Sequence, residues 1–561
     1  MIANTGKSLR QLAGPLACAA LGIWMLAFWF QTANDMRKQY LGYPTQDYWR
    51  SVVNLPRYEK WDLTVFWEQH NEHRVIVPEL LYALDDKLFG AHQYLPLVLS
   101  TLFQVATFSL LAWVIWTDSN LSAPLRLSAI FIGGLLLGWP GISYVLSFSF
   151  LIQWTLAQFL AMAALVAIAR GRLALSIVCA FVATFSAGHG MFIWPVLLPA
   201  ALALRIGWRR SLYLAASGTA SILLYFYRWV PSVDSQSHRF LQFPYWFFAF
   251  LASMMSMPFS ADRRELGLWL GPASFLLFAV ILLIAYRRRL LAETPAIVLF
   301  GAAIFSLLTI LVCAIGRTLP TYWDYPTAKV ARYLSVPLCY WAVLLAATIW
   351  VAARSRASAA WVAIVITATS LAYQFPRLDP WLQRQFDFYS RSQNASLAME
   401  SGLICDNLIE RDLYPASQNI HDWDPILRQR RLSIYSGEEF QWVGKPLSSL
   451  MTISAPSKGA VTTSIPFACA VQLAGWLDGD QRDLILVNGQ GIIAGLGRRL
   501  PAGLPLYLPK VWAAATPKEN WTAFAGYPLA GQSVQPYVVS ADHRSASPLG
   551  SPISLTTSVL R

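Results

Sequence analysis

The chain has 561 residues, of which 56% are hydrophobic and 13% are charged, with a mean hydropathy of +0.44 and a formal net charge of +13. Soluble domains carry about 25% charged residues. Apolar runs of about 20 residues, long enough to cross a bilayer, recur along the first two thirds of this chain. The composition predicts a polytopic α-helical membrane protein and excludes a soluble enzyme. We expect no nucleic-acid partner, because the basic residues of this region lie mostly at the ends of apolar runs, where membrane orientation explains them.

The apolar runs predict about eleven transmembrane helices. Basic clusters at alternate ends favour a cytoplasmic N-terminus and an extracytoplasmic C-terminal tail. Residues 243–259 are also apolar, but counting them as a span would reverse this pattern, so we interpret them as an interfacial or re-entrant hairpin. The first run is interpreted as a retained helix, because no small-residue cleavage pattern follows it. The predicted spans are roughly 12–31, 93–116, 127–145, 148–169, 173–188, 190–206, 211–229, 266–286, 294–316, 333–353 and 358–374.

This layout divides the chain into a membrane domain, residues 1–374, and a soluble periplasmic domain, residues 375–561. The membrane domain includes a long outer loop, residues 32–92, which holds nine acidic residues, whereas residues 93–374 hold six. Loops longer than about a dozen residues are usually functional or disordered, and the aromatic side chains of this loop favour folding. We therefore expect any site to face outward.

The C-terminal tail is predicted to be an extracytoplasmic α+β or β-sandwich-like domain. Residues 381–431 have a partly helical pattern, and residues 484–493 predict a β-hairpin, because the Asn-Gly pair within them favours a turn that matches strand twist. Cys405 and Cys469 are the two cysteines of the tail. Outside the cytoplasm they could form one disulfide, and the alternative is two unpaired thiols.

Asp47 is the first candidate catalytic residue. It follows the first apolar run closely and has aromatic neighbours, Tyr48 and Trp49. A carboxylate near the outer membrane surface can remove a proton from an acceptor hydroxyl. The alternative is an exposed loop aspartate that caps the next helix.

The polar segment 66–74 supplies further candidates just before an apolar helix. Glu72 could be a second carboxylate, and the guanidinium of Arg74 matches the geometry of a phosphate. His70 and His73 are three residues apart and could bind a metal if helical, but no further ligand set accompanies them. We therefore expect no cofactor, and a divalent metal is possible but not favoured. The alternative is a polar network that anchors the loop.

Three cations, Arg317, Lys329 and Arg332, lie on the predicted outer face, and Tyr333 follows the last of them. Their position runs against the positive-inside trend and favours an anionic partner such as a lipid phosphate. The alternative is pairing with Asp324 or with carboxylates of the outer loop.

His189 stands between Gly188 and Gly190, and glycines permit close backbone approach. Its ring could donate a hydrogen bond to a sugar or a phosphate, and the alternative is a packing residue. Trp154, within a predicted span, could line the same cavity, although packing is the more common role for tryptophan.

The layout of residues 1–374 resembles that of the GT-C class of integral-membrane glycosyltransferases, which use polyprenyl-phosphate-linked sugars on the outer face. Short strings are similar to those of uncharacterised bacterial members: His70-Asn71-Glu72-His73-Arg74 with Pro78, Gly188-x-Gly190 with Trp194-Pro195, and Ala331-Arg332-Tyr333. In this class a first-loop acid usually serves as the base. The resemblance therefore implies Asp47, while the absence of a clean acid pair, since Gln46 precedes it, leaves Glu72 or Asp35 as alternatives.

The resemblance implies a glycosyltransferase of the bacterial inner membrane, with membrane lipid around it. It would move a sugar from a polyprenyl-phosphate donor to an extracytoplasmic acceptor, which could be a protein such as a pilin, a glycan or a lipid. The alternatives are a lipid-linked sugar flippase or transporter, an O-antigen-type ligase or polymerase, and a membrane-anchored binding module that acts through its tail. The catalytic residues would be Asp47 and Glu72, and the substrate-binding residues would be Arg74, His73, His189, Arg317, Lys329, Arg332 and Tyr333.

Overall fold

The computed structural model describes residues 2–231, 239–260, 264–317, 331–374, 379–467, 469–478, 481, 483–499, 520–526 and 533–555. Its α-helices are α1 (Ile2–Gln39), α2 (Trp49–Glu59), α3 (Thr64–Trp67), α4 (Ile76–Phe89), α5 (Tyr94–Trp116), α6 (Ala123–Leu137), α7 (Ser143–Ser147), α8 (Ile152–Ala169), α9 (Leu173–Thr184), α10 (Ile193–Ala203), α11 (Trp208–Phe226), α12 (Pro244–Met255), α13 (Met257–Ser260), α14 (Arg264–Arg287), α15 (Thr294–Arg317), α16 (Ser335–Ala353), α17 (Ala357–Gln374), α18 (Asp379–Glu400), α19 (Asp406–Asp412) and α20 (Ser417–Arg430). Its strands are β1 (Thr452–Ile453), β2 (Gly459–Pro466), β3 (Ala470–Leu477), β4 (Asp483–Asn488), β5 (Ile493–Arg499), β6 (Trp521–Gly526), β7 (Ser533–Val539), β8 (Ser545–Pro548) and β9 (Ile553–Ser554).

Each of the predicted spans coincides with a helix, but fewer helices than eleven are long and apolar enough to cross a membrane. Among the described residues six qualify, and α6 with α7 makes a seventh if this pair, bent by 43°, counts as one span. Helix α9 has 12 residues and is about 18 Å long, well short of a hydrocarbon core of about 30 Å. The protein is therefore multi-pass with six or seven candidate spans. The six are Pro15–Gln39, Tyr94–Trp116, Ser149–Ala169, Glu265–Arg287, Thr294–Arg317 and Ser335–Ala353.

Packing divides the chain into two compact units. The first unit contains residues 1–37, 62–81 and 95–382, and the second contains residues 38–61, 82–94 and 383–561. The predicted outer loop is therefore split, because its middle belongs to the first unit and its two flanks belong to the second.

In the first unit, α16 is the most enclosed candidate span, with 83% of its apolar window buried. It packs against α6, α15 and α17. Helix α15 also packs against α8 at Gly301, where an added Cβ would lie 2.6 Å from a methyl carbon of Leu165. Small residues at such crossings allow close helix approach in membrane proteins.

The second unit contains one mixed sheet, with strand order β1-β8-β7-β4-β5-β6-β3-β2 and β9 paired to β7. The β1–β8 pair is parallel, and the other described pairs are antiparallel. Strand β4 buries both faces, because alternate side chains enter two different apolar clusters. The tail is thus a helical segment followed by a mixed half-barrel sheet, whereas a sandwich would require two packed sheets.

The flanks of the predicted outer loop contribute to the core of this second unit. Tyr43, Trp49 and Val52 are fully buried there, in the same apolar cluster as Ile420 and Leu427 of α20. These side chains carry large apolar areas, and their removal from water stabilises the unit. The sequence indicates a folded loop but does not indicate which part of the chain it packs against.

The hairpin predicted for the tail is confirmed, and of the two alternatives left open for its cysteines the structure has the disulfide. Strands β4 and β5 form an antiparallel hairpin with Leu484 opposite Gly497, and the Asn488 side chain accepts two backbone N–H bonds in the turn. Cys405 and Cys469 form a disulfide, with their Cα atoms 5.6 Å apart. The pairing ties the start of α19 to the residue just before β3.

Removal of the disulfide should destabilise the second unit. The two cysteines are 64 residues apart, and closing a loop of that length stabilises a fold by about 4 kcal/mol in the chain-entropy model. We expect the Cys405→Ala/Cys469→Ala variant to unfold at a lower denaturant concentration than the parent protein. Alkylation of the unreduced, denatured parent, followed by mass spectrometry, should leave these two cysteines unlabelled. Labelling of both without reductant would contradict the pairing.

Candidate functional site

Main-chain bonds fix the turn between α3 and α4. His70 and His73 exchange two backbone hydrogen bonds, with N–O distances of 2.7 and 2.8 Å. Asn71 has a φ of 50°, in the left-handed region that asparagine tolerates better than most residues. The Gln69 side chain donates to the Val230 carbonyl at 2.5 Å and accepts from the Val230 N–H at 3.0 Å. The turn is therefore fastened to the chain just beyond α11.

Arg74 closes this turn and is only 2% exposed. Its Nε donates to the Tyr225 carbonyl at 2.7 Å, its Nη2 donates to the Tyr227 carbonyl at 2.5 Å, and its Nη1 donates to the Trp67 carbonyl. These carbonyls lie at the C-terminal ends of α11 and α3, where helices leave their last acceptors unpaired. A cation at these ends also interacts favourably with the helix dipoles. The guanidinium thus holds two helix ends and the turn together.

Contacts with Tyr225 and Trp229 position the main chain of Glu72. Its carbonyl accepts from the Trp229 Nε1 at 3.1 Å and from the Tyr225 hydroxyl at 3.5 Å. The Tyr225 hydroxyl in turn accepts from the Arg74 backbone N–H at 3.1 Å. With its main chain held from the α11 side, Glu72 lines a cavity within the first unit.

This cavity has a volume of about 350 Å³, within the range of about 300–1,000 Å³ that ligand sites occupy. Its walls are mostly aromatic and aliphatic and come from α8, α11, α15 and the turns that precede α4, α10 and α16. Segments far apart in the sequence therefore converge on one space. Five of the predicted site residues line it, namely Glu72, His73, His189, Arg317 and Tyr333.

The two glycines beside His189 are required by close contacts. A Cβ on Gly190 would lie 1.9 Å from the Ala183 carbonyl oxygen, and a Cβ on Gly188 would lie 2.5 Å from the His73 Nδ1. Both distances are far below van der Waals contact. The Gly-His-Gly sequence therefore lets the chain pass between α9 and the turn that carries His73.

His189 lies deep in the cavity wall. Its ring stacks on Trp154 with centroids 4.4 Å apart and an interplanar angle of 20°, and Trp154 also meets Tyr333 edge to face. His189 is 5% exposed, and within the described residues its Nε2 has no hydrogen-bond partner. A buried polar atom without a partner is costly, so this nitrogen can bond a ligand that enters the cavity.

The charges of the cavity come from Glu72 and Arg317. Arg317 is the last residue of α15 and interacts with Tyr333 and Glu72. Burial lowers the pKa of His73, and while Glu72 opposes this shift, Arg317 reinforces it. His73 is therefore a neutral imidazole near pH 7, able to donate one hydrogen bond and accept another.

The other predicted residues lie elsewhere. Asp47 is half-buried in a 3₁₀ turn, Gln46–Tyr48, of the second unit. Asp35 is buried within α1 and accepts from Gln31 Nε2 at 2.8 Å. Arg332 is exposed, and its guanidinium lies 5.5 Å from the ring centroid of Tyr333. Lys329 lies outside the described residues.

Two aromatic residues of the site were not identified from the sequence. Tyr225 and Trp229 line the cavity and hold the carbonyl of Glu72. Their signal in the sequence is weak, because aromatic residues are common wherever a helix ends at a membrane surface. Trp154 does line the cavity, so it packs and forms part of the wall at once.

A metal site at His70 and His73 would require both side chains to lie on one face of a helix. His70 and His73 lie in a turn instead of on one helical face.

In the second unit, Glu439, Asp483 and His543 have ligand atoms within 4.8 Å of one another. Carboxylate and imidazole groups can bind divalent ions, and this is the one such group among the described residues.

Comparisons with known proteins found no match: no family model fits the sequence, and neither a curated protein nor a solved structure is similar to it.

The role of Arg74 can be tested by replacement with lysine. Lysine keeps the charge, but one ammonium group cannot reach three carbonyls in the planar arrangement that a guanidinium satisfies. We expect Arg74→Lys to lose about 3 kcal/mol of stability, seen as a lower apparent Tm of the detergent-solubilised protein. Arg228→Lys, a change at an exposed arginine just beyond α11, is the matched control. An unchanged Tm together with weaker binding of a polyprenyl phosphate would instead make Arg74 a phosphate ligand.

Proposed function

We propose that this protein is a membrane glycosyltransferase that moves a sugar from a polyprenyl-phosphate donor to an extracytoplasmic acceptor. The observation that carries the proposal is the cavity lined by Glu72, His73, His189, Arg317 and Tyr333. It combines one carboxylate, one permanent cation and two histidines with aromatic walls, on helices that include candidate membrane spans.

The reaction needs few groups. The oxygen of the acceptor hydroxyl forms a bond to C1 of the sugar while the bond from C1 to the phosphate oxygen breaks. The acceptor proton passes to the base, and the polyprenyl phosphate leaves with the electron pair of the broken bond. Because phosphate is a stable leaving group, the enzyme must chiefly remove the proton, align the reactants and neutralise the phosphate.

Glu72 is the base in this proposal. It lines the cavity, and its main chain is held by Tyr225 and Trp229, so its carboxylate works from a fixed turn. Asp47, favoured by the resemblance, belongs to the second unit. The assignment therefore passes to the carboxylate that shares a cavity with a cation.

Arg317 is the phosphate ligand. A guanidinium offers paired donors that match phosphate oxygens, and Arg317 is a cation that lines the cavity. His189 Nε2, buried and without a partner among the described residues, can bond a sugar hydroxyl or a phosphate oxygen. The aromatic rings of Trp154 and Trp229 give the sugar or the first prenyl carbons an apolar surface.

The disulfide supports the proposed compartment. Disulfides persist in oxidising environments and are rare in the cytosol, so the Cys405–Cys469 bond favours a periplasmic second unit. With the N-terminus in the cytoplasm, this arrangement agrees with the distribution of basic residues. We propose the bacterial inner membrane as the location.

The first test concerns the base. With a radiolabelled undecaprenyl-phosphate-linked hexose and membranes as the acceptor source, Glu72→Gln should slow transfer by about 10²–10⁴-fold, the range that a general base contributes. Donor binding should stay unchanged, because the amide keeps the size of the carboxylate. Glu68→Gln, a change at an exposed acid four residues away, should transfer normally.

The parallel variant Asp47→Asn separates the two candidate bases. Loss of transfer in Asp47→Asn, with full activity in Glu72→Gln, would move the base to Asp47. Full activity in both would reject the acid-base proposal. A protein that moves the labelled lipid across a vesicle membrane without forming a glycosylated product would be a flippase instead.

The second test concerns the phosphate. Arg317→Gln should weaken binding of undecaprenyl phosphate at least tenfold, because a charge-assisted pair is lost. Arg332→Ala should also weaken it, because the Arg332 guanidinium lies 5.5 Å from the ring centroid of Tyr333, which lines the cavity. Arg228→Gln, which removes an exposed cation that does not line the cavity, is the control. Equal affinity in all four proteins, measured by native mass spectrometry or fluorescence quenching, would remove the lipid phosphate from this cavity.

A further inference from the structure

A second cavity, of about 330 Å³, lies wholly within the second unit. It differs in chemistry from the first, because its lining is rich in polar groups. Residues from four separate segments meet there: Tyr40 and His92 from the two flanks of the predicted outer loop, Asn394 and Glu400 from α18, and Arg498 from β5.

Glu400 is the most informative lining residue. It is 2% exposed, and its Oε1 accepts from the Arg498 Nη2 at 2.7 Å. Among the described residues its Oε2 has no hydrogen-bond partner. Burial raises the pKa of Glu400 to about 7, Arg498 opposes this rise, and Glu439 and Asp483 add to it. Near neutral pH the group therefore exists in both protonation states.

A second acceptor lies on the same helix. The Oδ1 of Asn394 is buried and, within the part of the chain that the structure describes, also has no hydrogen-bond partner. Buried polar groups are normally hydrogen-bonded, and one left unsatisfied costs about 1–3 kcal/mol. Two such oxygens lining one cavity can bond a ligand that carries several hydrogen-bonding groups.

One wall is aromatic. Tyr94 stacks on Tyr40, with centroids 5.6 Å apart, and on His92, with centroids 5.3 Å apart. Tyr94 keeps 46% of its surface exposed, so part of this side chain can contact a ligand. His92 is oriented by its Nε2 contact with the Ser436 hydroxyl at 2.9 Å.

We infer that this cavity binds a carbohydrate, with ring hydroxyls bonded to Glu400 and Asn394 and an apolar sugar face on the tyrosine pair. Hydroxyl groups both donate and accept, so they match the carboxyl in either protonation state. A simple ammonium ligand would donate only, and a phosphate diester would accept only. The Glu400–Arg498 pair leaves little net charge for either ion.

Two residues that line the cavity are at or next to the ends of candidate spans in the sequence. Tyr40 directly follows α1, and Tyr94 is the first residue of α5. A sugar carried by a lipid and a sugar of a free glycan present the same hydroxyl chemistry. The site does not depend on the glycosyl transfer proposed above, since none of its lining residues takes part in that reaction.

The test is saturation-transfer NMR on the full chain in phospholipid nanodiscs, because detergents with sugar headgroups would compete. The probes are the methyl glycosides of glucose, galactose, mannose and N-acetylglucosamine. We expect at least one to bind, with an affinity at least tenfold lower in Glu400→Met, which removes both oxygens. Glu400→Gln, which keeps an acceptor and adds donors, should restore most of the binding.

Two further variants distinguish a loss of binding from a loss of folding. Ser436→Phe should fill the cavity beside His92 without touching the Glu400–Arg498 pair and should abolish binding. Glu438→Met, at an exposed acid that does not line the cavity, should bind as the parent does. All variants should keep the Cys405–Cys469 disulfide and a similar Tm.

Competition distinguishes the source of the sugar. Displacement of the methyl glycoside by an undecaprenyl-phosphate-linked hexose in the nanodisc would assign the site to a lipid-linked sugar, and persistence of the signal would assign it to a free glycan. Binding that is equal in the parent, Glu400→Met and Ser436→Phe would overturn the inference. So would displacement by inorganic phosphate, or failure of every glycoside to bind.

Discussion

The buried guanidinium of Arg74 is the contact on which the geometry of the candidate catalytic cavity depends. A cation taken out of water is stable only when its donors find acceptors, and here the acceptors are carbonyls at the ends of α3 and α11. The carbonyls at these helix ends have no hydrogen-bond donor within their own helix. The guanidinium therefore gives its N–H groups acceptors and gives these carbonyls donors. Trp67 adds its ring face 4.9 Å from the guanidinium.

The fixed position of Arg74 also restricts the two residues that precede it. His73 and Glu72 share a turn whose main chain is bonded to Tyr225 and Trp229, so neither residue can move without breaking buried contacts. His189 is restricted by the close packing around its two glycine neighbours and by stacking on Trp154. The cavity is therefore preformed, and preformed dipoles and charges stabilise a transition state without the cost of reorganisation.

The sequence predicts residue types better than it predicts partners. Glu72 could be nominated as a carboxylate just before an apolar helix, Arg317 as a cation against the positive-inside trend, and His189 as a ring between two glycines. The hairpin at β4–β5 could be anticipated from local chemistry alone, whereas the Cys405–Cys469 disulfide could be given only as one of two alternatives, because the sequence does not show the distance between them. What Arg74 contacts could not be anticipated, since a phosphate and a helix end both present oxygen atoms to a guanidinium.

The number of spans and the domain boundary were harder for a different reason. Apolar windows measure composition, whereas a helix ends where a turn such as Ser186-Ala187-Gly188 interrupts it, so α9 is too short to span. The outer loop was predicted as one element, yet the burial of Trp49 in the second unit separates its flanks from its middle. Long-range packing of this kind leaves no periodic signal in one sequence.

The divided loop gives the two cavities a covalent connection. Residues 62–81 carry Glu72 and His73, and the segments on either side of them contribute Tyr40, His92 and Tyr94 to the polar cavity of the second unit. The two cavities differ in what they can stabilise. The first has a cation that is suited to a phosphate, and in the second the Arg498 guanidinium is bonded to Glu400, beside polar oxygens that are suited to hydroxyl groups. In the proposed glycosyl transfer only the first cavity would contact the donor phosphate, whereas the carbohydrate inferred for the second cavity takes no part in the chemical step.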